Sequence, residues 1–192
     1  MAKRSTPTKS QILEVSRSLF SVYGFNNTAL DDIMVAGGVT KGAFYYYFKS
    51  KEILCENVCD RVVAEYKELV ASIDKTAEPL EQLRQLVAKI VQLNSSGEWV
   101  NCRLILRLSL ESLTEYPQIQ FKLNDFRQWY AGIYGDLIEN CRKAEQISTA
   151  VSKDIQCRLL LSSVMGIVAM GVIEPDKGIE QDIVGEIIKA LG

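Results

Sequence analysis

From Thr8 onward, apolar residues recur at three- and four-residue intervals, the spacing of helices that bury one face. Thr8-x-x-Gln11 reads as a capping box, the threonine hydroxyl and glutamine amide satisfying opposite free N–H groups. It opens a first helix with Ile12, Leu19, Phe20 and Tyr23 on the inner face, stopped at Gly24. Thr28 is expected to cap a second, short helix. Asp31 and Asp32 complement its dipole there, and Leu30 and Ile33 point inward. Gly37-Gly38 ends that helix, Thr40 caps a third, and Ser50 caps a fourth that runs to about Ile73. Ile53, Leu54, Val58, Val62, Tyr66, Leu69 and Ile73 form the apolar stripe of the fourth. Further helices are predicted over 78–95, 99–113, 117–145, 152–173 and 178–191. Breaks are marked by Asn94-Ser95-Ser96-Gly97, Pro117, Ser148-Thr149 and Pro175-Asp176-Lys177-Gly178. The class is all-α.

The third helix changes the picture from architecture to chemistry. Phe44, Tyr45, Tyr46, Tyr47 and Phe48 follow one another between Lys41 and Lys49. A buried strand would not carry the lysines, and a solvated helix would not carry five consecutive rings. Phe44 and Phe48, at i and i+4, share one face and are assigned to the core. Tyr45 is rotated about a quarter turn from that face and Tyr46 by more, so both face outward. Phenol hydroxyls and ammonium groups reach phosphate oxygens, and a helix N-terminus adds free backbone N–H donors. The first three helices form a helix-turn-helix unit whose last helix suits DNA recognition.

Charge supports that division. Residues 1–52 carry a net charge of +3 and residues 53–192 a net of −5, within a chain total of −2. A basic head on an acidic body fits a polyanion partner for the head alone. Proline and glycine number only 4 and 12, and at 47% hydrophobic the 192 residues can bury a sizeable core. Histidine is absent, which removes Ser-His-Asp and Cys-His catalysis and most zinc sites. Five cysteines without secretory spacing argue against a disulfide framework, and Cys55 and Cys59 at i, i+4 do not suffice for a closed metal site. The N-terminus lacks a signal-peptide core, and the longest uncharged run, Leu159–Ile173, is 15 residues, short of a bilayer span. A cytoplasmic chain without membrane contact, metal or cofactor is the expectation.

The first 55 residues resemble the TetR family of bacterial transcriptional regulators. The resemblance rests on Tyr23-Gly24-Phe25, Thr28-Ala29-Leu30-Asp31-Asp32-Ile33, Gly38-Val39-Thr40-Lys41-Gly42, Tyr45-Tyr46-Tyr47-Phe48 and Lys49-Ser50-Lys51-Glu52, in the family's order and spacing. Position 47, commonly His in the family, is Tyr here. The resemblance implies an N-terminal three-helix DNA-binding domain (1–50) and a C-terminal helical domain (51–192) for effector binding and dimerisation. Thr28, Thr40 and Lys51 would contact phosphates. Lys41 and Gly42 would lie at the near end of the recognition helix, and Tyr45, Tyr46 and Tyr47 would face the DNA. Ala43 would touch a thymine methyl. The partners implied are double-stranded DNA with a pseudo-palindromic operator, a small-molecule effector, and a second copy of the chain.

The body offers candidates for the last two. Ser162, Gly166 and Ala169 give the 152–173 helix a small-residue face, and Ile179, Ile183, Ile187 and Ile188 give the last helix an apolar stripe. Both are read as a subunit interface, the alternative being a core helix. Trp99, Cys102, Phe121, Phe126, Trp129, Tyr130 and Tyr134 form an aromatic zone, from which Trp99, Cys102, Phe126, Trp129 and Tyr130 are chosen as ligand-binding residues. Cys102, beside Arg103 and near Arg107, is either a sensing thiolate or packing. An enzyme using the aromatic zone and an architectural DNA-binding protein are the rival functions.

Overall fold

The capping box at Thr8 is formed: the Gln11 N–H donates to Thr8 Oγ1 at 3.2 Å and the Thr8 N–H to Gln11 Oε1 at 2.7 Å. The helix it opens, α1 (Lys9–Tyr23), is the first of nine in a computed structural model that describes residues 8–111, 114–173 and 180–191. The others are α2 (Leu30–Ala36), α3 (Lys41–Tyr47), α4 (Lys51–Ala71), α5 (Pro79–Ser95), α6 (Asn101–Leu110), α7 (Pro117–Lys143), α8 (Lys153–Ile173) and α9 (Glu180–Lys189). Among the described residues there is no strand, and the class is all-α. The break expected at Pro175–Gly178, and Ile179, lie outside those residues.

Packing divides the chain into two units, Met1–Glu65 with Arg103–Asp125, and Tyr66–Cys102 with Phe126–Gly192. This differs from a cut at residue 50, because the first turns of α4 and a segment from α6 into α7 pack with the N-terminal helices.

In the first unit, Ile12, Phe20, Phe25, Ile33 and Phe44 are fully buried. Tyr23, assigned to the inner face of α1, is instead 54% exposed. The chain turns at Gly24, and Phe25 folds back into the inner position, its ring 5.9 Å from that of Phe20. Arg17 is buried between α1 and α4, its guanidinium 2.7 Å from both Glu14 and Glu65. The head's positive charge is therefore partly internal. Ile53, expected in the stripe of α4, is exposed, whereas Leu54, Val58 and Val62 are buried.

Thr28 does not cap α2. The helix starts at Leu30, and the N–H of Ala29 reaches Asp32 Oδ2 at 3.2 Å. The Thr28 side chain turns inward and its hydroxyl donates to the Gly24 carbonyl at 2.6 Å. Gly38 takes φ +60°, the one position of the Gly-Gly pair that needs a glycine for its backbone angle. Thr40 caps α3 as expected, accepting from the Ala43 N–H at 3.2 Å.

In the second unit, α5 buries Leu83, Leu86, Val87, Ile90 and Val91 and packs against α8 and α9. Leu160, Val164 and Val168 of α8, with Val184 and Ile188 of α9, complete that core. Ile188 thus belongs to the interior and not to an outer stripe. Buried Gln156 fastens the approach to α8, donating to the carbonyls of Ser148 and Leu191 at 2.9 Å and accepting from Arg142 at 2.8 Å. The opposite face of α8 is exposed among the described residues. Ile155, Leu159 and Met170 are each more than half exposed there. By length and composition Lys153–Gly171 is apolar enough to cross a bilayer, a longer span than the uncharged run alone, and only 22% of it is buried in the chain.

Candidate nucleic-acid interface and aromatic cluster

The α3 rings divide as helical geometry requires. Phe44 and Phe48 are buried, with ring centroids 6.0 Å apart. Tyr45 is 38% and Tyr46 77% exposed, Tyr47 is half-buried, and Lys41 and Gly42 are exposed. The Tyr45 ring stands edge-on to Phe44 at 5.3 Å, and Tyr46 edge-on to Tyr47 at 4.9 Å, so the outer rings are held by their neighbours. A Cβ built on Gly42 would meet nothing within 4 Å, so the fold itself does not demand glycine there. Ala43 is half-buried and Thr40 exposed.

Two expected phosphate contacts are corrected. Thr28 is 1% exposed and its hydroxyl proton goes to Gly24, so it offers no donor to an outside anion. Lys51 points inward: its Nζ donates to the carbonyls of Phe25 at 2.9 Å and Thr28 at 3.0 Å, and lies 4.3 Å from the centroid of the Phe25 ring. A cation so placed closes the turn between α1 and α2. Exposed Lys9 and Lys49 lie on the same unit, Lys49 Nζ donating to the Tyr45 carbonyl at 3.2 Å.

In the second unit the expected ligand-binding residues do gather, around a residue assigned to the core stripe. Tyr66 has its ring 5.0 Å from Trp99, 5.0 Å from Phe126 and 5.3 Å from Tyr130. Phe126 stacks on Tyr130 at 5.4 Å and lies 6.0 Å from Trp129. Tyr130 and Tyr134 share a hydrogen bond of 3.1 Å between their hydroxyls. Phe121 is excluded from the cluster and 66% exposed. Nothing in the local pattern around Tyr66 distinguishes it from Val62 or Leu69; only the packing of helices does.

Cys102 lies in this cluster, in surroundings that disfavour a thiolate. Its Sγ sits 2.9 Å from Tyr66 Oη, its backbone N–H donates to Asn94 Oδ1, and it is 2% exposed. Burial pushes the thiol up to about 11, partly offset by the hydrogen bonds to Tyr66 and Asn94. The neighbouring arginines are engaged elsewhere, Arg103 with Ser21 Oγ at 2.9 Å and Arg107 with the Tyr23 carbonyl at 3.1 Å. The same burial holds Tyr134 and Tyr130 protonated. Cys102, Tyr130 and Tyr134 are therefore neutral at physiological pH.

Ser162 and Gly166 of α8 are exposed and Ala169 half-buried; a Cβ on Gly166 would meet nothing within 4 Å. Ile183 and Ile187 of α9 are half-buried. Among the described residues, Ser162 and Gly166 are the open positions of these five.

Residues 12–58 match the family described as bacterial regulatory proteins, tetR family. The repressor DhaR of Mycobacterium sp. strain GP1 is 24% identical over 175 residues, covering 90% of this chain and 86% of that one. Two solved structures share the fold over nearly the whole length. The transcriptional regulator FadR from Bacillus subtilis, in complex with stearoyl-CoA, superposes with a TM-score of 0.77 at 17% identity, covering 96% of this chain and 97% of that one. AibR, in complex with isovaleryl coenzyme A and operator DNA, gives 0.78 at 20%, covering 95% and 97%. Residues 12–58 thus match the tetR family's segment, and the chain as a whole shares the fold of solved transcriptional regulators.

Replacing Lys51 by Ala should lower stability by about 2 kcal/mol, through two lost charged hydrogen bonds and a cation–ring contact. Denaturant titration should show that loss, while the salt slope of DNA binding stays unchanged; a slope reduced by about one would restore the phosphate contact. Cys102 should resist iodoacetamide in the native protein at neutral pH and react on denaturation, as peptide mass spectrometry would show. A thiol raised in the folded state stabilises fully below its unfolded value near 9.0, and that stability is lost as pH rises toward about 11. Rapid native labelling at pH 7 would contradict the buried geometry.

Proposed function

We propose that the chain is a homodimeric repressor whose residues 1–50 read a pseudo-palindromic operator and whose residues 51–192 dimerise and bind an effector. The observation that carries this is the division of the α3 rings, Phe44 and Phe48 inward, Tyr45 and Tyr46 outward beside exposed Lys41 and Gly42. Core anchoring fixes the helix, and the exposed face then carries phenols, an ammonium group and bare backbone toward a duplex. Thr40, Ala43 and Tyr47 flank that face; Thr28 and Lys51 act behind it. Two such heads on a two-fold axis would meet half-sites about 34 Å apart.

The second copy is proposed to cover the exposed face of α8 and the flank of α9. A helix as apolar as α8, more than half exposed at Ile155, Leu159 and Met170, is stabilised by burial against a like surface. A subunit partner accounts for its composition without a bilayer, and the chain then works in the cytoplasm. Gly166→Leu should leave the chain folded, since a Cβ there meets nothing within 4 Å among the described residues. It should shift sedimentation from dimer toward monomer, overpacking typically costing about 1–3 kcal/mol. An unchanged dimer would move the interface elsewhere.

The effector is proposed to be a mainly apolar molecule held reversibly by Trp99, Phe126, Trp129 and Tyr130, with Cys102 as a neutral wall residue. Acyl groups like those of the coenzyme A thioesters bound to the two structural neighbours are the first class to try. The protein should select a specific duplex in vitro, and Lys41→Ala or Tyr45→Ala should weaken that binding. An acyl-CoA panel should release the duplex from parent and Cys102→Ser protein alike. Release from the parent alone would establish covalent sensing. No release by any compound would favour an architectural protein.

A further inference from the structure

Three residues of one helical face, Arg103, Arg107 and Glu111, reach the same short stretch at the end of α1. None of them figures in the DNA-reading face or the aromatic cluster. Arg103 Nη2 donates to Ser21 Oγ at 2.9 Å and Arg107 Nη2 to the Tyr23 carbonyl at 3.1 Å. The last turn of α1 has no basic residue of its own, so Arg107 supplies from α6 the cation that its carbonyl end favours. Glu111 follows the last residue of α6, and its Oε2 accepts from two successive backbone amides, Phe25 at 2.9 Å and Asn26 at 3.0 Å. Its other oxygen is buried, 3.7 Å from Arg107 Nε.

Gly24 makes room for this carboxylate. A Cβ there would lie 1.4 Å from Glu111 Oε1, and the backbone takes φ +84°. A non-glycine residue would expel the carboxylate as well as strain the turn. Tyr116, just beyond, stands edge-on to the Phe25 ring at 4.7 Å. The turn that leads into α2 is thus held by α6 and the segment after it.

We infer that Glu111 is a positioning residue for DNA recognition: its carboxylate fixes the Gly24–Asn26 turn, and with it the entry to the helix-turn-helix. The inference rests on the DNA-binding reading above. Charged hydrogen bonds to paired amides are strong and directional, so the contact sets an orientation as well as adding stability. Without the carboxylate both amides lose their acceptor together, and the helix-turn-helix then loses its fixed entry angle.

The test uses the full chain and a duplex selected in vitro on the unmodified protein, with affinity read by fluorescence anisotropy well below each variant's melting temperature. Glu111→Ala should weaken binding roughly tenfold. Glu111→Gln, whose amide oxygen still accepts both N–H groups, should stay within about threefold of the parent. A contact that only stabilises the fold would leave the affinity of folded protein unmoved, so parent-like binding by folded Glu111→Ala overturns the role. Equal losses in the Ala and Gln variants overturn it too. Hydrogen exchange in the unmodified protein requires no variant to fold: the Phe25 and Asn26 amides should be protected without DNA. Exchange at exposed-loop rates overturns the clasp whatever the duplex does. A parent that selects no duplex while those amides are protected overturns the DNA-binding reading, and the positioning role with it.

Discussion

The first unit depends on how a five-residue turn, Gly24 to Thr28, is buried. Placing Phe25 at 0% exposure carries its backbone inward, and buried amides and carbonyls must find partners. The turn cannot supply them from a regular ladder. Its polar groups are met by side chains instead: Lys51 on the carbonyls of Phe25 and Thr28, Glu111 on the amides of Phe25 and Asn26, and the Thr28 hydroxyl on Gly24. The donors and acceptors come from α4, the end of α6 and the turn itself. A small aromatic residue-pair, Phe20 with Phe25, is therefore tied to three parts of the chain at once. The helices that follow inherit their direction from it.

The two units use aromatic residues in opposite ways. On α3, rings alternate between anchoring and display, because a seven-residue helix cannot bury every face. In the second unit, Tyr66, Phe126, Tyr130 and Tyr134 turn toward one another, and their hydroxyls and the Cys102 thiol pair internally. Desolvation keeps the Cys102 thiol and the Tyr130 and Tyr134 hydroxyls protonated. The outer face of α3 carries exposed Lys41, whereas the cluster is built of rings and a few hydrogen bonds among their own hydroxyls and a thiol.

Legibility followed the range of the interaction. Thr8, Thr40 and Ser50 cap helices through contacts three residues away, and each was readable from its own neighbourhood. The helical periods likewise located α5, α7 and α8 within a few residues. Thr28 and Lys51 were misread because a threonine before a helix and a lysine after a recognition helix have an obvious outward use. Their actual partners are one turn back in the first case and 23 to 26 residues away in the second. Glu111 carried no local signal at all, its partners lying 85 and 86 residues earlier.

By itself the sequence determined the helical class, the order of elements, and which α3 rings face inward, since each follows from spacing, caps and a motif of contiguous residues. Tertiary structure alone decided which charges face solvent and which close a turn, that Tyr66 centres the aromatic cluster, and that Cys102 is buried against it. The reason is physical. Periodicity fixes a side chain's angle about its own helix, but its dielectric surroundings and hydrogen-bond partners depend on which distant segment packs there.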